Sequence, residues 1–83
     1  MNWYTCAGFR PVRAEGNRDA AMVFAIREAV KRYGKKGLVR VLNENARSQD
    51  GRVVEWDAFI GKVSGRNETT GHNFHLTVTQ RRD

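Results

Sequence analysis

The sequence lacks the features that would indicate a secreted or membrane protein: paired cysteines, a long apolar segment and a signal peptide. Its 83 residues include one cysteine, Cys6, so an internal disulfide is excluded and a reducing compartment is favoured. No apolar run approaches the roughly 18 residues needed to cross a bilayer, and the first ten residues do not read as a signal peptide. We therefore expect a cytoplasmic protein with no membrane partner.

Length and composition favour one small binding domain. A hydrophobic content of 40% is typical of a folded chain, and 83 residues are enough for one core. A catalytic cleft of ordinary size would take up much of so small a core, which favours a binding module over an enzyme. We expect a single domain over residues 1–83, with a loose tail at 81–83.

Positive charge is abundant and unevenly distributed along the chain. The net charge is +6, and residues 27–40 account for five of these charges because Glu28 is their only acid. The basic residues in this segment are Arg27, Lys31, Arg32, Lys35, Lys36 and Arg40. A basic surface favours nucleic acid, an anionic membrane or an acidic protein patch as partner. Cations at a helix end also stabilise its dipole, which explains part of the cluster without a function.

Periodicity and turn signals predict the element order β-α-β-β-β. The helix is expected at 18–33, with Asn17 as N-cap and Gly34 just past its end. Strands are expected at 2–10, 37–43, 52–63 and 72–80, with a connector at 11–17, a hairpin turn at Asp50-Gly51 and a polar loop at 64–71. The fold class is α+β: an antiparallel sheet of three to four strands with one helix packed on one face.

The helix pattern predicts which residues face the sheet. A stripe at i, i+4 and i+7 spacing is expected to pack inward; its members are Met22, Ile26, Ala29, Val30 and Tyr33. Trp56 is expected to meet this stripe near Ile26 and Val30. Phe24 then points to the polar side of the helix, outside the main core.

One helix covers only one face of the sheet, so the other face must meet water or a partner. Strand alternation assigns to this open face Glu55, Asp57, Phe59, His75, Thr77 and Thr79, and leaves Arg40 as a further candidate.

No set of residues suggests catalysis or metal binding. His72 and His75 are three apart on a strand, so they point to opposite faces, and His72 is assigned to the preceding turn. Glu55 and Asp57 lie about 7 Å apart by strand rise, but alternate acids on an open strand are usually solvated. Cys6 inside an apolar strand is most simply a small hydrophobic residue. We expect no enzyme activity, no cofactor and no metal.

Binding is the class that remains. An aromatic within basic residues is typical of nucleic-acid sites and of protein hot spots. The predicted partner-binding set is Phe24, Arg27, Lys31, Lys35, Lys36 and Arg40. The competing interpretation is that Phe24 packs under the connector or against a second chain. We expect a monomer.

The C-terminal segments "VVEWDAFIGKV" and "GRNETTGHNFHLTV" resemble the C-terminal part of small proteins carried by phages and other mobile elements, among them type I anti-CRISPR proteins. The shared features are a hairpin, a loop containing Thr-Thr and a final strand with a Phe-His step.

This resemblance implies a non-enzymatic inhibitor in the host cytoplasm that binds a type I surveillance (Cascade) complex and obstructs target-DNA recognition. Many anti-CRISPR proteins are acidic and imitate DNA, which a chain of charge +6 does not do as a whole. Its basic helix end would instead meet an acidic patch on a protein subunit, guide RNA or target DNA. The alternative function is a basic nucleic-acid-binding accessory protein of phage or mobile-element origin.

Overall fold

The structure, a computed structural model, describes residues 1–64 and 68–81. One helix packs on one face of an antiparallel sheet whose five strands run in the order β2-β1-β5-β4-β3. In chain order the elements are β1 (Asn2–Thr5), β2 (Val12–Ala14), α1 (Asn17–Tyr33), a 3₁₀ turn (Gly34–Lys36), β3 (Gly37–Arg47), β4 (Val53–Ser64) and β5 (Glu68–Gln80). The α+β class is confirmed, with five strands rather than three to four.

The additional strand is β2. It forms because β1 ends at Thr5, earlier than the predicted strand at 2–10, and a turn follows. Gly8 has a φ of +86°, and the backbone N–H of Phe9 donates to the carbonyl of Cys6 over 3.1 Å. The left-handed backbone conformation of Gly8 lets the chain reverse here, where the sequence pattern predicted an unbroken strand. Part of the connector then pairs antiparallel with β1, as β2.

The β3–β4 hairpin turns at Asp50-Gly51, as predicted. Gly51 has a φ of +74°, and the Asp50 carboxylate accepts hydrogen bonds from the Ser48 hydroxyl and the Arg52 backbone N–H. β3 is longer than expected and continues to Arg47, whereas β4 has the expected length and is shifted by one residue, to Val53–Ser64.

β5 begins at Glu68, inside the segment expected to be a polar loop. Backbone pairing extends as far as Ser64 opposite Glu68, because a ladder needs backbone groups rather than apolar side chains. Of the predicted loop at 64–71, residues 65–67 lie outside the described residues.

The helix packs with a different face than its large hydrophobic residues predict. Its buried residues are Ala20, Ala21, Phe24, Ala25, Glu28 and Ala29. Ile26 and Val30, expected in the core, are 44% and 47% exposed, so the predicted stripe is wrong at these two positions. Its other members keep the predicted side: Ala29 is buried, and Met22 and Tyr33 pack against the core. The physical reason is close approach. A Cβ on Gly37 would collide with the Ala29 carbonyl, so small residues are needed where helix and sheet meet.

Trp56 is buried on the helix side of the sheet, as expected, but at the first turn of α1. Its indole Nε1–H donates to Asn17 Oδ1 over 2.7 Å, and Asn17 Nδ2 donates to the Val78 carbonyl over 3.1 Å. The expected contact with Ile26 and Val30 is therefore wrong. Asn17 is not the N-cap either: Gly16 occupies that position, and the Asn17 side chain ties the helix to the sheet.

Strand alternation is confirmed for the core. The inward residues of β4 and β5 are buried, namely Val54, Trp56, Ala58, Ile60, Leu76 and Val78. His72 lies in β5 opposite Ile60, not in a turn, and its Nδ1 is 3.1 Å from the Tyr33 hydroxyl. In the predicted loose tail, the Arg81 N–H donates to the Trp3 carbonyl over 2.8 Å, while residues 82–83 lie outside the described part. No helix of the described residues is long and apolar enough to cross a membrane.

Candidate functional site

Phe24 does not belong to the predicted partner surface. Its side chain is fully buried, and its ring centroid lies 5.6 Å from that of Phe9 in the turn after β1. The prediction that Phe24 lies outside the main core is wrong, because the residue is buried within the fold. Its ring contact is with Phe9, which precedes the connector named in the competing interpretation. The other predicted partner-binding residues are exposed; they are Arg27, Lys31, Lys35, Lys36 and Arg40.

The outward side of α1 carries two of the residues that the sequence pattern placed in the core. Ile26 and Val30 are one turn apart and both exposed, and Val23 beside them is only partly buried. We call Val23, Ile26 and Val30 the outer stripe. A helix that meets only water carries polar residues in this position. The stripe is thus the apolar part of a candidate binding surface.

Cations border the outer stripe on one side. Arg27 and Lys31 each follow a stripe residue by one position, about 100° around the helix. Arg27 Nη1 donates to the Arg10 carbonyl over 3.1 Å, which holds this guanidinium against the connector. Within residues 1–64 and 68–81, the ammonium groups of Lys31 and Lys35 have no carboxylate partner.

A different basic residue neutralises the one buried acid of α1. Glu28 is buried on the inner side of the helix, and its carboxylate accepts a hydrogen bond from Arg32 one turn later. A buried carboxylate without such a partner would be strongly destabilising. Arg32 is therefore committed to the fold, which leaves Arg27, Lys31, Lys35 and Lys36 as the basic border of the stripe.

The open face of the sheet holds a compact charge cluster. The imidazole of His75 lies between two carboxylates: Nδ1 is 3.0 Å from Asp57 Oδ1, and Nε2 is 3.1 Å from Glu55 Oε1. Asp57 is directly opposite His75 in the ladder, and Glu55 is two residues away on the same strand face. The expectation that these three side chains share a face is confirmed.

Hydrogen bonding in this cluster favours the charged imidazole. The bond to Asp57 makes the largest contribution that raises the pKa of His75 above its usual value, and Glu55 adds to it. Both ring nitrogens have carboxylate partners, so the protonated ring donates at both ends.

The cluster has no arrangement suited to binding a metal as it stands. The two carboxylates lie at opposite ends of the imidazole, so the three side chains do not converge on a common point. Among the described residues no group of three or more histidine, cysteine or acidic side chains is placed to hold a metal ion. The open face therefore holds two acids that His75 partly compensates by local contact, together with the exposed apolar side chain of Val41.

A groove of about 330 Å³ lies between the turn after β1 and β5. Its walls are Cys6–Phe9 on one side and Phe74–Thr77 on the other, and Glu28 and Lys31 reach it from the helix. Burial raises the pKa of the Cys6 thiol, with a smaller opposing effect from the Thr77 backbone hydrogen bond. Cys6 is thus a neutral packing residue rather than an activated nucleophile.

Comparison of the chain with protein families, curated proteins and solved structures finds no match. The chemistry of the exposed surfaces therefore carries the functional inference. Three features differ in what they offer a partner: the outer stripe with its basic border, the compensated cluster on the sheet, and the groove beside β5.

Proposed function

We propose that the chain is a small non-enzymatic inhibitory protein that binds a protein partner through the outer stripe and its basic border. The carrying observation is the exposure of Ile26 and Val30, at 44% and 47%, on successive turns of the only long helix described. Single exposed apolar residues are common. An apolar pair beside unpaired cations is a more specific combination, since apolar surface supplies affinity and charge supplies orientation.

The partner surface is expected to be an apolar groove or strip with an acidic edge. Lys31 and Lys35 have no carboxylate within the described chain, so a partner carboxylate would gain an interaction that the free protein lacks. Two copies of a chain with a net charge of +6 repel each other, and the outer sides of their helices carry the same cations. The charge pattern therefore favours a different protein over a homodimer.

The resemblance of residues 53–63 and 65–78 to type I anti-CRISPR proteins supplies a narrower proposal. It names a type I surveillance (Cascade) complex of the host cell as the partner and obstruction of target-DNA recognition as the effect. An acidic patch on a protein subunit of that complex would fit the basic border.

The test is a direct binding measurement with purified type I surveillance complex and immobilised full-length chain. Replacing Ile26 and Val30 together by Asp should weaken binding about tenfold or more, equivalent to about 1.4 kcal/mol. Val41→Asp is the matched control, because Val41 is 46% exposed and pairs with Phe59 on the other face of the sheet.

Equal losses in the stripe variant and the control would contradict the assignment of the surface. Absence of any binding to the complex would reject the narrower proposal. Capture from a host extract, with wild type and the stripe variant compared side by side, then tests the general one: it fails when no protein depends on the stripe.

A second candidate function is that of a nucleic-acid-binding accessory protein. It is supported by five exposed cationic residues, namely Arg27, Lys31, Lys35, Lys36 and Arg40. Fluorescence anisotropy with a labelled DNA duplex over a salt series separates the two candidates. Binding through phosphates should weaken by a slope of about −0.9 per contact in a double-logarithmic plot. Lys35→Glu with Lys36→Glu should then abolish binding, whereas the Ile26 and Val30 substitutions should leave it unchanged.

A further inference from the structure

One edge of β5 has no strand beside it over most of its length. β1 is the neighbour of β5 in the sheet, but it pairs only at Tyr4 with Gln80 and Thr5 with Thr79. After Thr5 the chain turns away. Among the described residues, no backbone hydrogen bond joins Gly71–Thr77 to any segment on that side.

Two hydrogen bonds show which backbone groups point to this edge. The Arg81 N–H donates to the Trp3 carbonyl, and the Thr77 N–H interacts with the Cys6 thiol, so both point away from β4. Backbone groups along an antiparallel strand alternate between its two edges with a period of two. The N–H and C=O groups of Asn73 and His75 therefore point to the same open edge.

The groove described above runs along this edge. Phe9 and Phe74 pack edge to face at a centroid distance of 6.3 Å, and Leu76 completes an apolar lining. Lys31 is the charged lining residue without a counter-ion, because Glu28 is paired with Arg32 and His75 with its carboxylates. An apolar recess, a row of backbone donors and acceptors and one free ammonium group are thus adjacent.

We propose that this edge is a second binding site, which takes an extended segment of a partner protein as an added β-strand. Main-chain hydrogen bonds to Asn73 and His75 would supply affinity, and the groove would select side chains. An apolar side chain of the segment fits the recess beside Phe74, and an acidic one pairs with Lys31. This site shares Lys31 with the basic border but contains no residue of the outer stripe, so the Ile26 and Val30 substitutions test the stripe independently of it.

The other edge of the sheet, along β3, lacks these properties. It has register shifts between Val39 and Val41 and between Glu44 and Ala46, and Arg47 pairs with Glu44 along it. Irregular, charged strands are the usual protection of an exposed edge. Residues Gly71–Thr77 contain no lysine, arginine or acid. The β5 edge therefore lacks the charge and the irregular pairing that protect the β3 edge from pairing with another strand.

A second copy of this chain is a poorer occupant than an acidic peptide. Self-pairing through Gly71–Thr77 would bring no carboxylate to Lys31, because that segment contains none. The free ammonium group in the groove therefore favours a segment from another protein.

Hydrogen exchange of the free protein tests the geometry before any ligand is added. The amides of Asn73 and His75 should exchange about a hundredfold or more faster than those of Phe74 and Leu76, which point to β4. Equal protection of all four amides, at a protein concentration where sedimentation shows a monomer, overturns the open edge. Protection that appears together with dimer formation makes the second copy the occupant and overturns the acidic peptide.

Selection of a displayed random decapeptide library on the immobilised full chain supplies the probe, and recovered peptides are synthesised. Asn73→Pro removes an edge N–H while keeping the β4 ladder, so it should abolish binding; Asn73→Ala, which keeps the N–H, should not. Lys31→Glu should reduce affinity for acidic peptides about tenfold or more, whereas Lys35→Glu, outside the groove, should change it much less.

Methylation of alternate peptide nitrogens gives a test on the ligand alone and holds even when Asn73→Pro does not fold. Methylation of one of the two alternating sets of peptide amides should abolish binding, and methylation of the other set should be tolerated. Equal effects of both sets, or a library that yields no binder, overturns the proposal.

Discussion

The two exposed faces of this molecule differ in whether their charged side chains have partners of opposite charge within the described chain. On the open face of the sheet, the carboxylates of Glu55 and Asp57 share the imidazole of His75 at 3.0–3.1 Å. On the outward side of α1, Lys31 and Lys35 find no carboxylate in the described chain, and apolar Ile26 and Val30 stand beside them. Carboxylates that already have a partner within the fold gain less from a charged partner protein than ammonium groups that have none among the described residues. The helix is therefore the side on which we expect binding.

A second contrast lies within α1 itself, between its inner and outer sides. The inner side is made of alanines, Phe24 and Glu28, and the outer side carries Val23, Ile26 and Val30. Large aliphatic residues thus do not mark the packed side of this helix. Close approach of the helix to β3, visible at Gly37 and Ala29, selects small residues instead.

The largest expected effect is that of Phe24→Ala. Phe24 is one of the largest fully buried side chains, and its removal leaves a cavity beside Phe9. We expect a loss of about 3–5 kcal/mol in the free energy of unfolding, measured by urea denaturation. Partner affinity, corrected for the folded fraction, should stay unchanged.

Ile26→Ala is the matched control for that variant, because it removes aliphatic atoms from the other side of the same helix. It should change the free energy of unfolding by less than about 1 kcal/mol. A larger loss for Ile26→Ala than for Phe24→Ala would restore the packing face that the sequence pattern suggests.

These residues also show what the sequence makes predictable. Alternation in β4 and the Asp50-Gly51 turn are local signals, and both the buried row and the hairpin follow from them. The rotation of α1 does not, because amphipathic patterns weight large side chains and miss a face built of alanine. β2 is only three residues long, too short for a periodic signal.

Parts of the candidate site also could be predicted from local sequence patterns, and other parts could not. Exposure of Arg27, Lys31, Lys35 and Lys36 follows from their charge, so this part was predictable. Exposure of Ile26 and Val30 is the consequence of helix rotation, and the groove depends on where β1 leaves β5. That His75, Glu55 and Asp57 share a face follows from alternation. Their contact requires the β4–β5 register, which pattern alone does not fix.

A smaller effect is expected from overpacking the inner side of α1. Ala25 is fully buried, so Ala25→Leu adds atoms where helix and sheet already touch and should cost about 1–3 kcal/mol. Val30→Leu, on the exposed side, should be close to neutral. Thermal unfolding of the two variants gives the comparison. Equal stability of both would show that the inner side has room for larger residues.

The smallest expected effect concerns the open face, where His75 compensates the acids. Its folded-state pKa is raised above the usual 6.5, chiefly by the hydrogen bond to Asp57. A proton held more tightly in the folded state stabilises the fold fully below the unfolded pKa, and this contribution is lost as pH rises through the folded pKa. Since the three side chains are about half exposed, solvent and salt screen the effect.

An NMR titration of the His75 ring measures this directly. Asp57→Asn should lower the pKa of His75 more than Glu55→Gln does, because the Asp57 hydrogen bond is the larger cause. Asp19→Asn, the same charge change in the first turn of α1, is the control and should leave the His75 titration in place. If Asp57→Asn and Asp19→Asn have the same effect, His75 responds only to net charge, and the open face does not compensate its acids through local contact. The contrast between the two faces would then rest on the outer stripe alone.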